Sequence, residues 1–110
     1  MKVIYNYIIP FGSYRAINLF GVIFAKSEFN PISQRTINHE SIHTIQMKEA
    51  LYIFFYLWYV LEWLVRLIQY RDSKQAYRNI SFEREAYVNE ENETYIKSRT
   101  AFSWLDYILN

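Results

Sequence analysis

The stretch that decides how this chain folds is Asn38-His39-Glu40-Ser41-Ile42-His43-Thr44-Ile45-Gln46, which contains the pattern H-E-x-x-H. Its two histidines are the only histidines among the 110 residues. Residues four apart lie on one face of an α-helix, so His39 and His43 can place two imidazoles on one metal ion. Glu40 then projects from a neighbouring face towards a metal-bound water. The pattern predicts a helix that carries two ligands of a zinc site.

The composition is that of one domain, residues 1–110, with a very apolar interior. Hydrophobic residues make up 52% of the chain and aromatic residues 20%, while glycine and proline occur twice each. This composition is typical of a compact, mostly helical protein and argues against disorder. The formal net charge is +1, so the chain lacks the excess of basic residues that is typical of a nucleic-acid binder. Cysteine is absent, which excludes disulfides and thiolate metal ligands.

The N-terminal part of the chain predicts β-structure. Residues 3–9 are rich in Val, Ile and Tyr and read as a strand. Residues 15–26 carry apolar side chains at even spacing and predict a second strand, or two short strands broken near Gly21. We expect the two segments to pair as a small hairpin that lies against the helices.

Residues 50–68 form the most apolar part of the chain and follow a helix expected to begin near Gln34, with Ser33 as N-cap. They begin with twelve uninterrupted apolar or aromatic residues. A membrane-spanning helix needs about 20 such residues, so the run favours a central core helix. Contact with a membrane surface or a partner helix is the alternative, because Trp and Tyr favour the headgroup region.

The C-terminal part predicts a second long helix, over residues 74–99, with Asp72 or Ser73 as its cap. Residues 102–109 predict a short amphipathic tail that docks on the core. The expected fold is therefore mostly α with a small N-terminal β-hairpin, an α+β class. No small-residue cleavage site follows the apolar run at the N-terminus, so we expect a cytoplasmic protein, with membrane association as the alternative.

The third metal ligand must be a carboxylate, because a catalytic zinc site typically has three protein ligands and no other histidine or cysteine exists. Glu49 and Glu62 are too close along the helical stretch to fold back onto the metal. The cluster at residues 90–93 is strongly polar, and we expect it to be a solvated face. These exclusions leave the segment over residues 81–87.

Glu83 is the better candidate within that segment. On a helix it shares a largely apolar face with Ile80 and Tyr87, whereas Glu85 lies about 200° away from it. Glu85 remains the alternative third ligand. Both glutamates could instead only form ion pairs with nearby cations, namely Arg78, Arg84 or Lys97.

The combination of H-E-x-x-H with Glu83-x-x-Ala86 resembles the gluzincin metallopeptidases, which hold zinc with two histidines and a glutamate from a later helix. The second motif is most similar to the E-x-x-A-D of a membrane-associated, prenyl-protease-like branch, although Tyr87 stands where an aspartate would orient a ligand histidine. Gln46 gives H-E-x-x-H-x-x-Q, which is similar to small bacterial proteins of minimal gluzincin type. The resemblance covers roughly residues 35–90.

This resemblance implies a minimal zincin-like helical core that holds Zn²⁺ through His39, His43 and Glu83. Zinc would polarise the scissile carbonyl of a peptide or protein substrate. Glu40 would take a proton from the attacking water and pass it to the leaving amine. Tyr87, one turn beyond Glu83, is the candidate that stabilises the oxyanion.

Two further expectations follow for the surroundings of the metal. The second nitrogen of each ligand histidine needs a partner, which could be a main-chain carbonyl, Gln46, Asn79 or another group. By analogy with related enzymes, residues 17–24 could align a peptide as an edge strand. The competing function is that of a non-catalytic zinc-binding protein, or of a membrane-associated helical interaction protein organised around residues 50–68.

Overall fold

The computed structural model describes residues 2–10 and 14–108 and confirms the α+β class. A small sheet is followed by helices that make up most of the described chain. The strands are β1 (Val3–Asn6), β2 (Ala16–Leu19) and β3 (Val22–Lys26), and the helices are α1 (Gln34–Glu49), α2 (Ile53–Tyr70), α3 (Ser73–Arg78), α4 (Ser81–Asn89) and α5 (Tyr95–Ser98). Short 3₁₀ turns lie at Ser27–Phe29 and Ser103–Tyr107.

The sheet has the order β1-β3-β2. The prediction that residues 3–9 and residues 15–26 pair as a hairpin is therefore wrong. β2 and β3 form the hairpin themselves, while β1 pairs with β3 in parallel. The turn consists of Phe20 and Gly21, whose φ angles are +52° and +90°. Two positive φ angles match the twist of a two-residue hairpin, which explains the predicted break near Gly21.

The first strand is shorter than the predicted span of residues 3–9, because Asn6 starts a turn. Its side-chain oxygen accepts hydrogen bonds from the main-chain N–H groups of Ile8 and Ile9, at 2.9 and 2.6 Å. An asparagine that binds its own downstream backbone in this way ends a strand and starts a turn. β1 therefore ends at Asn6.

Helix α1 begins and runs as predicted, and one asparagine fixes it to the sheet. The Ser33 hydroxyl accepts a hydrogen bond from the N–H of Thr36 at 3.1 Å, which confirms the N-cap. Asn18 on β2 donates to the Glu40 carbonyl and the Thr44 hydroxyl, both at 2.7 Å. β2 is thereby held against the turn of α1 that carries the H-E-x-x-H pattern.

Helix α2 is not the central core helix expected from its composition. Only Phe55 and Glu62 of its 18 residues are buried. Leu51 and Tyr52 have φ angles of +55° and +57°, and α2 leaves α1 at an angle of 111°. This turn lays α2 along the outside of the molecule, so that only one of its faces is covered.

In the described part of the chain, no single helix has the length and apolarity to cross a membrane, although α1 and α2 pass that test together as a bent pair.

The predicted long helix over residues 74–99 is broken into α3, α4 and α5. Asp72 caps α3 as expected, by accepting from the N–H groups of Lys74 and Gln75. Glu62 of α2 accepts hydrogen bonds from both the N–H and the hydroxyl of Ser81 at 2.6 Å, so a different helix supplies the cap of α4. A cap from outside the segment is invisible to local pattern analysis.

A compact apolar cluster lies beneath the H-E-x-x-H pattern. Its buried members are Met47, Phe55, Ile80, Phe82 and Trp104. The C-terminal tail docks on it through Trp104 and Ile108, as predicted, whereas Phe102 and Leu105 remain exposed. This cluster joins α1, α2 and α4 and fixes the places from which their polar side chains converge.

We expect Glu62→Ala to lower the free energy of unfolding by about 2–3 kcal/mol, because two donor groups of Ser81 lose their buried acceptor. Urea unfolding followed by far-UV circular dichroism measures this loss. Glu93→Ala removes an exposed glutamate and serves as the control. Equal stability of the two variants would contradict the capping role.

Candidate metal centre

Three buried side chains from two helices meet at one point. His39 and His43 project from α1, and Glu83 projects from the first turn of α4. The Nε2 atoms of the histidines are 3.2 Å apart, and Oε1 of Glu83 lies 3.0 Å from the first and 3.1 Å from the second. The three residues predicted as ligands therefore form a group that could hold a metal ion.

Glu85, the alternative ligand, does not take part in this group. It is fully buried, and its carboxylate binds the guanidinium of Arg99 at 2.5 and 3.1 Å. Tyr95 donates a further hydrogen bond to it at 2.6 Å. The cation that pairs with Glu85 is therefore Arg99 of the C-terminal segment. It is not one of the three cations that the sequence suggested, Arg78, Arg84 and Lys97.

The second nitrogen of His39 binds Glu90, so the prediction that residues 90–93 form a solvated face is wrong for Glu90. Its Nδ1 lies 2.8 Å from the Glu90 carboxylate, and Arg35 holds that carboxylate from the other side at 3.1 Å. Asn38 donates to the main-chain carbonyl of Glu90 at 2.7 Å. Glu83 and Glu90 are seven residues apart, which is two helical turns, and this spacing could have suggested their common face.

The second nitrogen of His43 binds Gln46, which was one of the predicted partners. Nδ1 lies 2.7 Å from the amide oxygen, and the amide nitrogen donates to the Phe82 carbonyl and the Glu85 carboxylate, both at 3.0 Å. Both of these groups only accept hydrogen bonds, so the amide oxygen must face His43. Asn79, the other predicted partner, instead accepts from Arg84.

These hydrogen bonds decide which atoms face the centre of the group. The Glu90 carboxylate and the Gln46 oxygen are acceptors, so each Nδ1 carries a hydrogen and each neutral ring turns a lone pair on Nε2 towards Glu83. Three lone pairs within 3.2 Å of one another repel unless a cation lies between them. A zinc ion about 2.0–2.1 Å from each atom separates tetrahedral ligands by about 3.3 Å, so the residues present fit Zn²⁺.

In the metal-free protein, protons take the place of the cation. Burial lowers the pKa of His39, but hydrogen bonds to two carboxylates outweigh it and raise the pKa to about 10. Burial raises the pKa of Glu83, but the charge of His43 and the hydrogen bonds of both histidines hold it well below its usual range. Metal binding must therefore displace protons from the group.

Tyr59 of α2 is a site residue that sequence analysis missed. Its hydroxyl donates to Oε2 of Glu83 at 2.6 Å, which turns Oε1 towards the histidines. Because the chain has eleven tyrosines, the composition alone does not single out Tyr59. A signal did exist: Phe55, Tyr59 and Glu62 recur at helical spacing along one face of α2, and that face is the covered one.

Two cavities adjoin the metal centre, and Glu40 lines both. The polar cavity, of about 230 Å³, is bordered by His39, Tyr77, Tyr87 and Glu90 among others. The apolar cavity, of about 320 Å³, is bordered by His43, Glu83 and residues 17–19 of β2 among others. Solvent or a ligand can thus approach the centre from either side.

Tyr87, the predicted oxyanion partner, lies beside His39 without a hydrogen bond to it. Its ring meets the His39 ring edge to face at 4.5 Å, and the guanidinium of Arg78 covers it at 3.8 Å. Its hydroxyl shares a hydrogen bond with the Tyr77 hydroxyl at 3.0 Å. The two phenols therefore form a pair at the wall of the polar cavity.

Comparison of the chain with protein-family models, curated proteins and solved structures gives no match. What can be said of its function therefore rests on the geometry of the site and on the motifs that the residues carry.

We expect metal-stripped protein to bind one Zn²⁺ per chain, and Glu83→Gln or His43→Ala to weaken binding by at least about 100-fold, because each leaves two ligands. Competition with a chromophoric chelator measures the affinity. Glu93→Gln is the control, since this exposed carboxylate lies outside the ligand group. Equal affinity of Glu83→Gln and the control would remove Glu83 from the ligand set.

We expect Glu90→Gln to reduce zinc affinity by about 10- to 100-fold, because it weakens the acceptor that orients His39. Glu91→Gln is a closely matched control: the neighbouring carboxylate pairs with Arg35 at an exposed surface position. The same chelator competition compares the two variants. A similar loss for both would show that Glu90 acts through surface charge and not through His39.

Proposed function

We propose that this protein is a zinc-dependent hydrolase that cleaves peptide bonds. The observation that supports this proposal most directly is the convergence of three ligand lone pairs next to Glu40, at a point bordered by two cavities. A structural zinc site is typically closed by four protein ligands, whereas a catalytic one has three and keeps a position open. Three ligands with a neighbouring carboxylate favour the catalytic class.

Bound zinc would polarise the scissile carbonyl and lower the pKa of the attacking water. Glu40 is the proposed proton acceptor, because it borders both cavities, beside His39 in one and beside His43 in the other. Burial raises the pKa of Glu40, while the charges of the two histidines oppose the rise. A carboxylate of raised pKa is a better base for water and a better acid for the leaving amine.

β2 is the part of the sheet suited to hold a peptide. It lies at an edge of the sheet, and its Ile17 and Leu19 border the apolar cavity. Arg15 accepts a hydrogen bond from Lys26, and the alternation of an antiparallel pair then turns the main-chain groups of Ala16 and Asn18 outward. An extended peptide could add there as a further strand.

The proposed peptide-binding strand, β2, is shorter than the predicted span of residues 17–24. Residues 22–24 belong to β3, which is the central strand and pairs on both sides. Its main-chain groups are therefore occupied within the sheet. Peptide alignment is confined to β2.

Tyr87 and its neighbour Tyr77 are the proposed donors to the oxyanion. Both line the polar cavity together with Glu40. Burial raises the pKa of each phenol, so that each keeps its proton. A protonated phenol at the cavity wall can donate a hydrogen bond to the negative oxygen that develops during attack.

We expect the zinc-loaded protein to cleave peptides from a protein digest, and Glu40→Gln to lower the rate by about 10²- to 10⁴-fold while zinc affinity is retained. Mass spectrometry of the peptide mixture over time measures both the rate and the cleavage sites. Glu91→Gln, an exposed glutamate, is the control. Cleavage by Glu40→Gln at the wild-type rate would refute the peptidase proposal.

The second candidate is a zinc protein without turnover, and the observation that favours it is burial. His39, Glu40, His43 and Glu83 are each exposed by at most 8%. In this case zinc would join α1 to α4 and raise the melting temperature without any cleavage. Absence of products together with zinc-dependent stabilisation would select this alternative.

A further inference from the structure

The exposed side of α2 is apolar, and the two charged residues of the helix lie on its covered side. Its exposed centre is a stripe of Phe54, Leu57, Leu61, Leu64 and Ile68. The two charged residues of the helix, Glu62 and Arg66, both lie on the other side and form an ion pair there. This distribution is the reverse of that of an ordinary surface helix.

The apolar side of α2 is wider than the central stripe. Ile53 and Val60 flank the stripe on one side, and Trp58 and Val65 flank it on the other. At 100° per residue these positions cover an arc of about 160°. Their exposed area is on the order of 1,000 Å², whereas the largest apolar patch of a typical soluble monomer is about 300–600 Å².

The apolar surface continues past the start of α2 to the tip of the β2–β3 hairpin. Phe20 is 64% exposed in the turn, although its positive φ angle favours a small or polar residue there. Its ring packs 5.0 Å from Tyr56, and its N–H binds the Tyr56 hydroxyl. The Phe20 ring also stacks 6.5 Å from the ring of Tyr52, whose neighbour in the sequence, Leu51, is exposed.

We propose that this surface, the exposed side of α2 together with Phe20 and Leu51, binds the interface of a lipid bilayer, with α2 parallel to the membrane plane. A partner helix would cover a narrower seam, and a partner protein would meet a polar rim, which the exposed side of α2 lacks between Ile53 and Ile68. The apolar layer of a lipid bilayer, in contrast, can cover the whole arc of about 160°. The inference does not depend on the peptidase proposal.

The charges at the ends of this surface suit anionic headgroups. Lys48 is exposed three residues before Leu51, and Arg71 is exposed directly after α2. Long basic side chains at the margin of an apolar surface reach headgroup phosphates while their stems stay in the apolar layer. Tyr70 and Trp58 are partly exposed aromatic residues of the kind enriched at this depth.

Flotation of the folded 110-residue protein with vesicles tests the proposal. We expect it to float with phosphatidylcholine vesicles, and more strongly when a quarter of the lipid is phosphatidylglycerol. Leu61→Glu should reduce partitioning by at least about tenfold, because a charge replaces an inserted leucine. Val88→Glu is the matched control: it adds the same charge at a comparably exposed apolar position on α4.

Fluorescence gives a second readout that does not depend on flotation. Brominated lipid should quench tryptophan emission from the wild-type protein and should quench Trp58→Phe much less, because Trp104 is buried and Trp63 lies on the covered side of α2. Circular dichroism of each variant confirms that it is folded. Quenching that survives in Trp58→Phe at the wild-type level would place a different surface at the lipid.

Several results would overturn the proposal. The protein could remain at the bottom of the gradient with both kinds of vesicle, either as aggregate or as monomer. It could form a lipid-free dimer that Leu61→Glu dissociates, in which case the surface joins two copies of the chain. Binding only to anionic vesicles, abolished by salt and unchanged in Leu61→Glu, would show electrostatic adsorption without apolar insertion.

Discussion

The interaction on which the rest of the structure depends is the meeting of three lone pairs from His39, His43 and Glu83. Because these atoms lie within 3.2 Å of one another, a cation or a shared proton must lie between them. Helices α1, α2 and α4 and the C-terminal segment contribute to holding this arrangement. Glu90 orients one histidine, Gln46 orients the other, and Tyr59 turns the carboxylate. Both this buried polar group and the apolar cluster beneath it connect α1, α2 and α4.

The polar group reaches far beyond the metal ligands. Arg99 binds Glu49 with two hydrogen bonds at 2.8 Å and also binds Glu85, which in turn accepts from the Gln46 amide that holds His43. A residue sixteen positions beyond Glu83 thus helps to orient a ligand from α1. Buried ionic groups of this kind add little net stability, yet each is costly to leave unpaired, so the network selects one arrangement of helices.

Local features were predictable, and features that depend on distant contacts were not. The spacing of His39 and His43, the Ser33 cap and the break near Gly21 each follow from residues within one turn or one helix. The role of Glu90 depends on where α1 lies, and the break before α4 depends on Glu62 from another helix. The partner of β1 is set by tertiary structure, which the local pattern of residues 3–9 does not contain. The apolar composition of α2 predicts burial, yet the helix lies at the surface.

Helix α2 connects the two proposals through its opposite sides. Its covered side binds α4 at two points, through Tyr59 on Glu83 and through Glu62 on Ser81. Its exposed side is the proposed membrane surface. Packed helices lie about 8–10 Å apart, so the metal centre would stand roughly one helix layer from the bilayer. A peptide on β2 would then be cleaved close to the membrane, and substrates anchored there would reach Glu40 at a higher local concentration than free peptides.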